Sequence, residues 1–494
     1  MGSRVYLPNG TEAQLAVYYE PQVHEFRNPL IQALPPMVSK PEIIEKMTRM
    51  PRFNASERML PAEIRVHLLQ RLFDVYTPLP INVQVWELIH SLLIQSYVSR
   101  NPFDATYKQF VSSTGKQIIE RKYNVHTTLN YRSTACAGTL IGVSGMGKTT
   151  TVNRVLSHIP QVIIHNEYEQ QHFDQIQLVW MKLETPYNSS VKALCLQYFT
   201  KLDEILGTNN LKKLVSRNLS VDAMVPYIAQ SSRNVGLGLL VLDESQFLSK
   251  RGGSQLVDFL VSLINGGLSI LLIGTPSSYA LFEGEFRIAR RLTGNKEILW
   301  NAMKNDQTFR LFLEGIWRYQ WLRDYTPLSN ELVSAIFEET QGISDLVIKL
   351  YLYAQQFSIE RGFEMITPEI IRRVAKDHFR LMKPMLDALK TGNPYKIAQF
   401  DDLRILDAKE RASSSHPKPP VQKRTNSVKK EMKVTIPSKP TPILEKPKRS
   451  VDYRDGDLRR CFRVAKQEDV APEIVLEREG YIDDMKVWTE GGKL

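Results

Sequence analysis

The spacing of apolar residues changes along this chain, and each change marks a different kind of structure. Up to about residue 60 the pattern is irregular and broken by proline, as in Asn28-Pro29-Leu30-Ile31-Gln32-Ala33-Leu34-Pro35-Pro36. Such a stretch is expected to dock on a partner surface rather than fold alone. From Pro61 to Arg121 apolar side chains recur at helical intervals (Leu68, Leu69, Leu72, then Val85, Leu88, Ile89, Leu92), which predicts helices. Strand-like and helix-like segments then alternate. Ala137 to Val143, Val162 to His165, Gln177 to Leu183, Leu239 to Leu242 and Ile270 to Ile273 read as strands. Lys148 to His158, Ser190 to Leu206 and Ser220 to Gln230 read as helices, Ser220 serving as an N-cap. Two of the strand runs, at 239–242 and 270–273, are wholly apolar, the mark of central parallel strands covered on both faces. Helices between such strands predict a doubly wound α/β core.

From Asn305 to Gly392 only helical periodicity is read, in Phe309 to Trp321, Asn330 to Thr340, Ser344 to Arg361 and Pro368 to Lys390. A compact helical domain therefore follows the core. Residues 409–450 carry seven prolines and three consecutive serines, Ser413 to Ser415, the composition of a disordered linker. Apolar and aromatic residues return afterwards (Phe462, Val464, Ile474, Tyr481, Ile482, Trp488). The expected organisation is an N-terminal docking segment over 1–60, a helical region over 61–130, the α/β core over 131–304, a helical domain over 305–408, the linker over 409–450 and a C-terminal docking segment over 451–494.

Composition narrows the class. Hydrophobic content of 43% with 24% charged residues is that of a soluble globular chain. No apolar run is long enough to span a bilayer, and the N-terminus lacks the charged and apolar regions of a signal peptide, so a cytoplasmic protein with no membrane partner is expected. The net charge of +11 looks like a nucleic-acid signature, but residues 409–450 hold 12 Lys/Arg against 3 Asp/Glu. That segment alone accounts for +9, so overall basicity says little about a globular face. Cys136, Cys195 and Cys461 lie far apart and form neither a disulfide framework nor a zinc site. His158 and His165 read as structural or exposed.

The chemistry begins after the first core strand. Gly142-Val143-Ser144-Gly145-Met146-Gly147-Lys148-Thr149 fits G-x-x-x-x-G-K-[ST] and lies between a strand and a helix. Small residues let backbone N–H groups close around phosphate oxygens, and the helix N-terminus adds positive potential. Lys148 would reach the β and γ phosphates, Thr149 would ligand Mg2+, and Thr150 continues the phosphate-binding turn. The second half is Leu239-Leu240-Val241-Leu242-Asp243-Glu244, an apolar strand delivering two carboxylates at its C-terminal end, where open α/β sheets place ligands. Asp243 would hold Mg2+ through its water shell, and Glu244 would orient and polarise the attacking water. Asp243-Glu244-Ser245-Gln246 also fits the D-E-x-x box of helicases, but no later helicase motif follows. ATP and Mg2+ are the expected ligands.

This arrangement resembles the AAA+ ATPases: a P-loop α/β core with a C-terminal helical lid, here followed by a disordered tail. The resemblance gives three further candidates. Thr275, ending Ile270-Leu271-Leu272-Ile273-Gly274-Thr275-Pro276, stands where these enzymes put a polar residue between water and γ-phosphate; a simple strand-terminating turn would look the same. Phe286-Arg287-Ile288-Ala289-Arg290-Arg291 stands where they place an arginine finger, with Arg291 the first choice and Arg290 the second; a solvated basic helix face is the other reading. Their lids often carry an Arg that contacts nucleotide. The corresponding turn, Gln341-Gly342-Ile343-Ser344-Asp345-Leu346-Val347-Ile348-Lys349, has none, leaving Lys349 as a weak substitute.

Several segments are similar to TnsC, the AAA+ regulator of cut-and-paste transposons, and its TniB relatives. They are the phosphate loop, Asp243-Glu244-Ser245-Gln246-Phe247-Leu248, Gly252-Gly253-Ser254-Gln255, Ile273-Gly274-Thr275-Pro276 and Arg290-Arg291. Outside the ATP chemistry, Asn28 to Pro36, Tyr97-Val98-Ser99-Arg100-Asn101-Pro102, Asp457-Leu458-Arg459-Arg460 and Ile482-Asp483-Asp484-Met485 resemble TnsC segments too. The resemblance implies a bacterial, cytoplasmic ATPase that forms rings or helical filaments on double-stranded DNA. It also implies a target-selector protein and transposase subunits as partners, with hydrolysis dismantling the oligomer. Lys212, Lys213 and Arg217 are candidate DNA-phosphate contacts, an exposed basic loop being the other reading. Two other classes share the ATP motifs: an AAA+ replication initiator or helicase loader, and a scaffold that keeps nucleotide without hydrolysing it.

Overall fold

The computed structural model describes residues 2–400 apart from 22, 121–130, 213–220, 250–252, 280–293, 295 and 398, together with 464–465, 467–470, 474–475 and 478. The chain divides into two units, Met1–His416 and Pro417–Leu494.

The first unit is an AAA+ P-loop fold with a helical C-terminal region. Its central sheet is parallel throughout, in the order β6 (Trp180–Glu184), β7 (Leu239–Asp243), β8 (Ser269–Gly274), β3 (Ala137–Gly142), β9 (Lys296–Trp300). Every residue of β3, β7 and β8 is buried, as their unbroken apolar runs require of strands covered on both faces. Strand β8 lies between β3 and β7, so the three strand ends that matter most are adjacent. Helix α4 (Pro80–Val98) is apolar nearly all round and crosses one face of this sheet. Gly138 makes that approach possible: a Cβ there would stand 2.8 Å from a Leu88 methyl.

Residues 1–60, expected to be irregular, instead fold into the unit. Strands β1 (Arg4–Tyr6) and β2 (Glu12–Leu15) build a second sheet with β4 (Val162–Tyr168) and β5 (Gln171–Leu178), in the order β1-β2-β4-β5. Short helices α1 (Pro29–Gln32) and α2 (Lys40–Met47) follow, and Leu30, Ile43 and Met47 enter the main core. Their apolar side chains are too few for amphipathic periodicity but enough to fill gaps against α4. Helices α3 (Ala62–Leu68) and α5 (Ala105–Ile119) precede and follow α4 along the chain, within the span expected to be helical. Gln177 to Leu183, read as one strand, is two: the chain leaves one sheet at Leu178 and enters the other at Trp180.

In the core, α6 (Lys148–Leu156), α7 (Val191–Leu206), α8 (Val221–Asn234) and α9 (Gly253–Asn265) connect the strands. Ser190 caps α7 by accepting from the Ala193 amide at 3.2 Å; Ser220, the cap expected for α8, lies outside the described residues. Strand β9 (Lys296–Trp300) is not among the expected strands: Gly294-Asn295 precede it, but its five residues show no alternation of apolar and polar positions. The lid comprises α10 (Gln307–Trp317), α11 (Asn330–Thr340), α12 (Ser344–Arg361), α13 (Pro368–His378) and α14 (Lys383–Thr391), with α15 (Pro394–Ile397) beyond. The expected single helix from Pro368 to Lys390 breaks before Lys383, where Pro384 starts a new first turn. No helix among the described residues is long and apolar enough to cross a membrane.

In the second unit, helical turns at 464–465 and 467–468 are described. Ala465 and Val475 are buried against Val464 and Val470, and Arg478 pairs with Glu468 at 3.0 Å. The linker 409–450 and most of 451–494 lie outside the described residues.

Candidate functional site

The loop after β3 takes its shape from glycine. Gly145 and Gly147 have φ of +81° and +87°, the left-handed region that L side chains disfavour, and Gly147 is the N-cap of α6. The turn therefore aims the first amides of α6 at the loop's hollow, a ready anion site. Lys148 is buried at 9% exposure, its Nζ donating to the carbonyls of Gly142 at 2.7 Å and Val143 at 2.9 Å. Thr149 Oγ1 donates to Asp243 Oδ2 at 2.9 Å. A hydroxyl and a carboxylate meeting beside a phosphate-binding loop are the hard oxygen donors that Mg2+ takes, so these residues fit the ion that the motifs imply.

The same Asp243 oxygen receives Lys182 Nζ at 3.0 Å. The next residue, Glu244, is held at φ +57°, a left-handed conformation that costs about 1 kcal/mol or more outside glycine and collects at functional sites. Its amide donates to Asp243 Oδ1 at 3.0 Å, and its carboxylate accepts from Gln246 Nε2. Gln246 Oε1 accepts in turn from the Thr275 amide at 3.2 Å, so one side chain joins the end of β7 to the end of β8. Thr275 Oγ1 shares a hydrogen bond with Ser277 Oγ at 2.8 Å. Gly274 is required where the two strand ends meet, since a Cβ would fall 2.2 Å from both Ser245 Oγ and Ser278 Oγ.

The phosphate loop, Asp243, Glu244, Gln246, Gly274 and Thr275 line one cavity of about 550 Å3, within the size range of small-molecule sites. Its walls come from three places. The phosphate loop, Asp243, Glu244 and Thr275 form one side; the segment from Phe73 to Leu79, including Val75, Tyr76 and Thr77, forms a second; Ser344, Asp345 and Ile348 of the lid form the third. Tyr76 and Asn82 fix the second wall by hydrogen bonds to Thr151 Oγ1, at 2.8 and 2.9 Å, while Thr151 donates to the Gly147 carbonyl. Burial pushes the Tyr76 phenol up to about 12, so it stays neutral. The lid is fixed through the Gly145 carbonyl, which accepts from the Asp345 amide at 3.0 Å and Ser344 Oγ at 2.9 Å.

Of the residues expected from sequence, Gly142 belongs to β3, and Ser144, Gly145, Met146, Gly147, Lys148, Thr149, Thr150, Asp243, Glu244 and Thr275 line this one cavity. Val143 lies behind the loop, its amide donating to the Trp300 carbonyl at 3.0 Å. Lys349 is off the wall: Ile348 lines the cavity, while Lys349 Nζ pairs with Asp345 Oδ2 at 2.7 Å one helical turn back. Lys212 is exposed and away from the cavity; Lys213, Arg217, Arg290 and Arg291 lie outside the described residues. Sequence reasoning gave no role to Lys182, Thr151 and Asn82, which act through packing between distant segments and carry no motif, nor to Gln246, which it quoted only as part of the run Asp243-Glu244-Ser245-Gln246. His165 is a buried bridge between Tyr18 and Gln177, pushed down to about 4 by burial. The Cys136 thiol is pushed up to about 11 by burial, too high for a nucleophile.

Lys148→Ala is expected to abolish nucleotide binding, because it removes the buried cation facing the phosphates. Calorimetric titration with ATP checks it, and affinity equal to the parent would refute the assignment.

A family model described as AAA domain matches residues 131–282. Among curated proteins no sequence matches the chain. Among solved structures, similarity is found to the Aeropyrum pernix ORC1 protein in complex with DNA, with 17% identity, 53% of this chain and 64% of that one covered, and a TM-score of 0.35. Domain III of the Thermotoga maritima replication initiation protein DnaA aligns at 13% identity over 56% of this chain and 94% of its own, with a TM-score of 0.29. Drosophila ORC bound to DNA aligns at 12% identity over 73% and 90%, with a TM-score of 0.32. The chain thus spans somewhat less than two thirds of the ORC1 structure's length.

Proposed function

We propose that this chain is an Mg2+-dependent ATPase switch that assembles on double-stranded DNA and regulates DNA transposition. In this reading it receives a site from a target-selector protein and passes it to transposase subunits. The observation that carries the ATPase reading is the meeting of Thr149 and Asp243 at 2.9 Å in the cavity that also holds Lys148 and Glu244. Backbone amides of the loop and Lys148 would hold the triphosphate, and Thr149 and Asp243 would hold Mg2+, which when bound neutralises phosphate charge. Glu244 is the base that orients water, and Thr275, at the neighbouring strand end, is placed to polarise it.

The transposition reading rests on the similarity to TnsC outside the ATP motifs; two of those segments pack beside the ATP-site strands. Asn28 Nδ2 donates to the Tyr97 carbonyl at 2.7 Å. Arg100, 1% exposed, donates to the carbonyls of Leu237 at 2.6 Å and Gly267 at 3.2 Å, just before β7 and β8. These segments therefore brace the strands that deliver Asp243 and Thr275. Lys212, Lys213 and Arg217 are proposed phosphate contacts on DNA.

An arginine finger supplied by Arg291 or Arg290 would act on a neighbouring subunit's γ-phosphate. Hydrolysis per subunit should then rise with protein concentration and with duplex DNA, and the Arg290/Arg291 double alanine variant should lose that rise while still binding ATP. Mixing it with Lys148→Ala should restore part of the activity at mixed interfaces. No restoration between co-assembling proteins would sink the trans arrangement. Phosphate release separates this reading from a non-hydrolysing scaffold. Specific capture of a transposase, against capture of a replicative helicase, separates it from a loader.

A further inference from the structure

Resting on the ATPase reading, one charged contact at the site has no part in the roles assigned so far. Lys182 sits in β6, in register with Val241 of β7. Strand alternation turns Met181 and Leu183 into the core and leaves Lys182 on the other face, at 22% side-chain exposure. Its ammonium is held from two sides. Nζ lies 3.0 Å from Asp243 Oδ2 and donates to Asn153 Oδ1, on α6, at 3.0 Å. Asp243 Oδ2 is also the oxygen that Thr149 Oγ1 contacts. The residues proposed to hold the divalent ion thus share their key oxygen with a tethered side-chain cation.

We propose that Lys182 is a positioning residue that acts through Asp243 and sets the metal dependence of nucleotide binding. A fixed positive charge on that carboxylate opposes a divalent ion drawing on the same oxygen. It also offsets the repulsion between Asp243 and an incoming polyphosphate. Removing it should move two affinities in opposite directions: the metal binds tighter, and metal-free nucleotide binds more weakly. A side chain that merely supports the fold would weaken both.

The test uses the full chain, ADP as probe so that no turnover intervenes, and calorimetric titration with Mg2+ or with EDTA. In Lys182→Met the Mg2+ concentration giving half-maximal ADP binding should fall at least about tenfold, the effect of one unit charge on a divalent ion about 6 Å away even with water-like screening. ADP affinity in EDTA should fall several-fold, and Lys182→Arg should keep the parental Mg2+ midpoint. Should Lys182→Met be unfolded at the assay temperature, Asn153→Asp at its exposed position offers the ammonium a competing carboxylate, and the midpoint should again fall. An unchanged or raised midpoint in these variants, or equal weakening with and without Mg2+, overturns the proposal. Absence of ADP binding by the parent chain in both conditions would instead sink the ATPase reading itself.

Discussion

Glu244→Gln should bind ATP as tightly as the parent and hydrolyse it about 10²–10⁴-fold more slowly, the usual contribution of a general base. The amide keeps the shape of the carboxylate and remains a partner for Gln246 Nε2, so the left-handed backbone at Glu244 has no new reason to relax. Only the charge that polarises water is lost. On the proposed function the variant should stay on DNA in the presence of ATP and fail to dissociate, because dissociation follows hydrolysis. Single-turnover phosphate release and ATP-dependent DNA retention measure the two halves. Parental hydrolysis would show that another group is the base. Slow hydrolysis with lost ATP affinity would mean that the strained turn, rather than the charge, had been disturbed.

The side of the cavity formed by the phosphate loop and the ends of β7 and β8 was legible in sequence because phosphate binding and metal binding each demand fixed residue types at fixed spacing. The loop from Gly142 to Thr149 and the pair Asp243-Glu244 could be placed from such rules, and parallel strands buried on both faces announced themselves as unbroken apolar runs. The other two walls could not be read this way. Tyr76 and Asn82 reach Thr151 across about seventy positions of sequence, and Ser344 reaches Gly145 across 199. Contacts of that kind depend on how segments pack, not on local spacing. The N-terminal sixty residues were misread for a related reason. Strands of three and four residues are too short to show alternation, and they are stabilised by pairing, β1 with β2 and β2 with β4, rather than by their own pattern. Conversely, the helix ending at Arg361 was bounded to the residue, because Ser344-Asp345 and Gly362 are strong start and stop signals.

Loss of Arg65 should destabilise the first unit by about 3–5 kcal/mol, as expected when one partner of a buried ion pair is removed. Arg65 is 1% exposed. Its guanidinium makes a two-pronged bond to Glu364, at 2.7 and 2.8 Å, and donates to the Leu60 and Trp321 carbonyls at 3.0 and 2.8 Å. The pair ties α3 to the loop between α12 and α13, the N-terminal helices to the lid. Hydrogen bonds from Arg65 in particular hold the Glu364 carboxyl below the usual carboxylate range, against the opposing effect of burial. A group whose folded pKa is depressed contributes stability that is present above its unfolded value and lost as pH falls through the folded one. The pair should therefore support the fold at neutral pH and release it only in acid, below the ordinary glutamate pKa of about 4.3. Urea unfolding of Arg65→Met should show a lowered midpoint at pH 7 and a flatter acid limb than the parent. A variant within about 0.5 kcal/mol of the parent, or one with an unchanged acid limb, would mean that α3 and the lid are held together by the packing of Phe53 against Tyr319 and Trp321 and not by this charge pair.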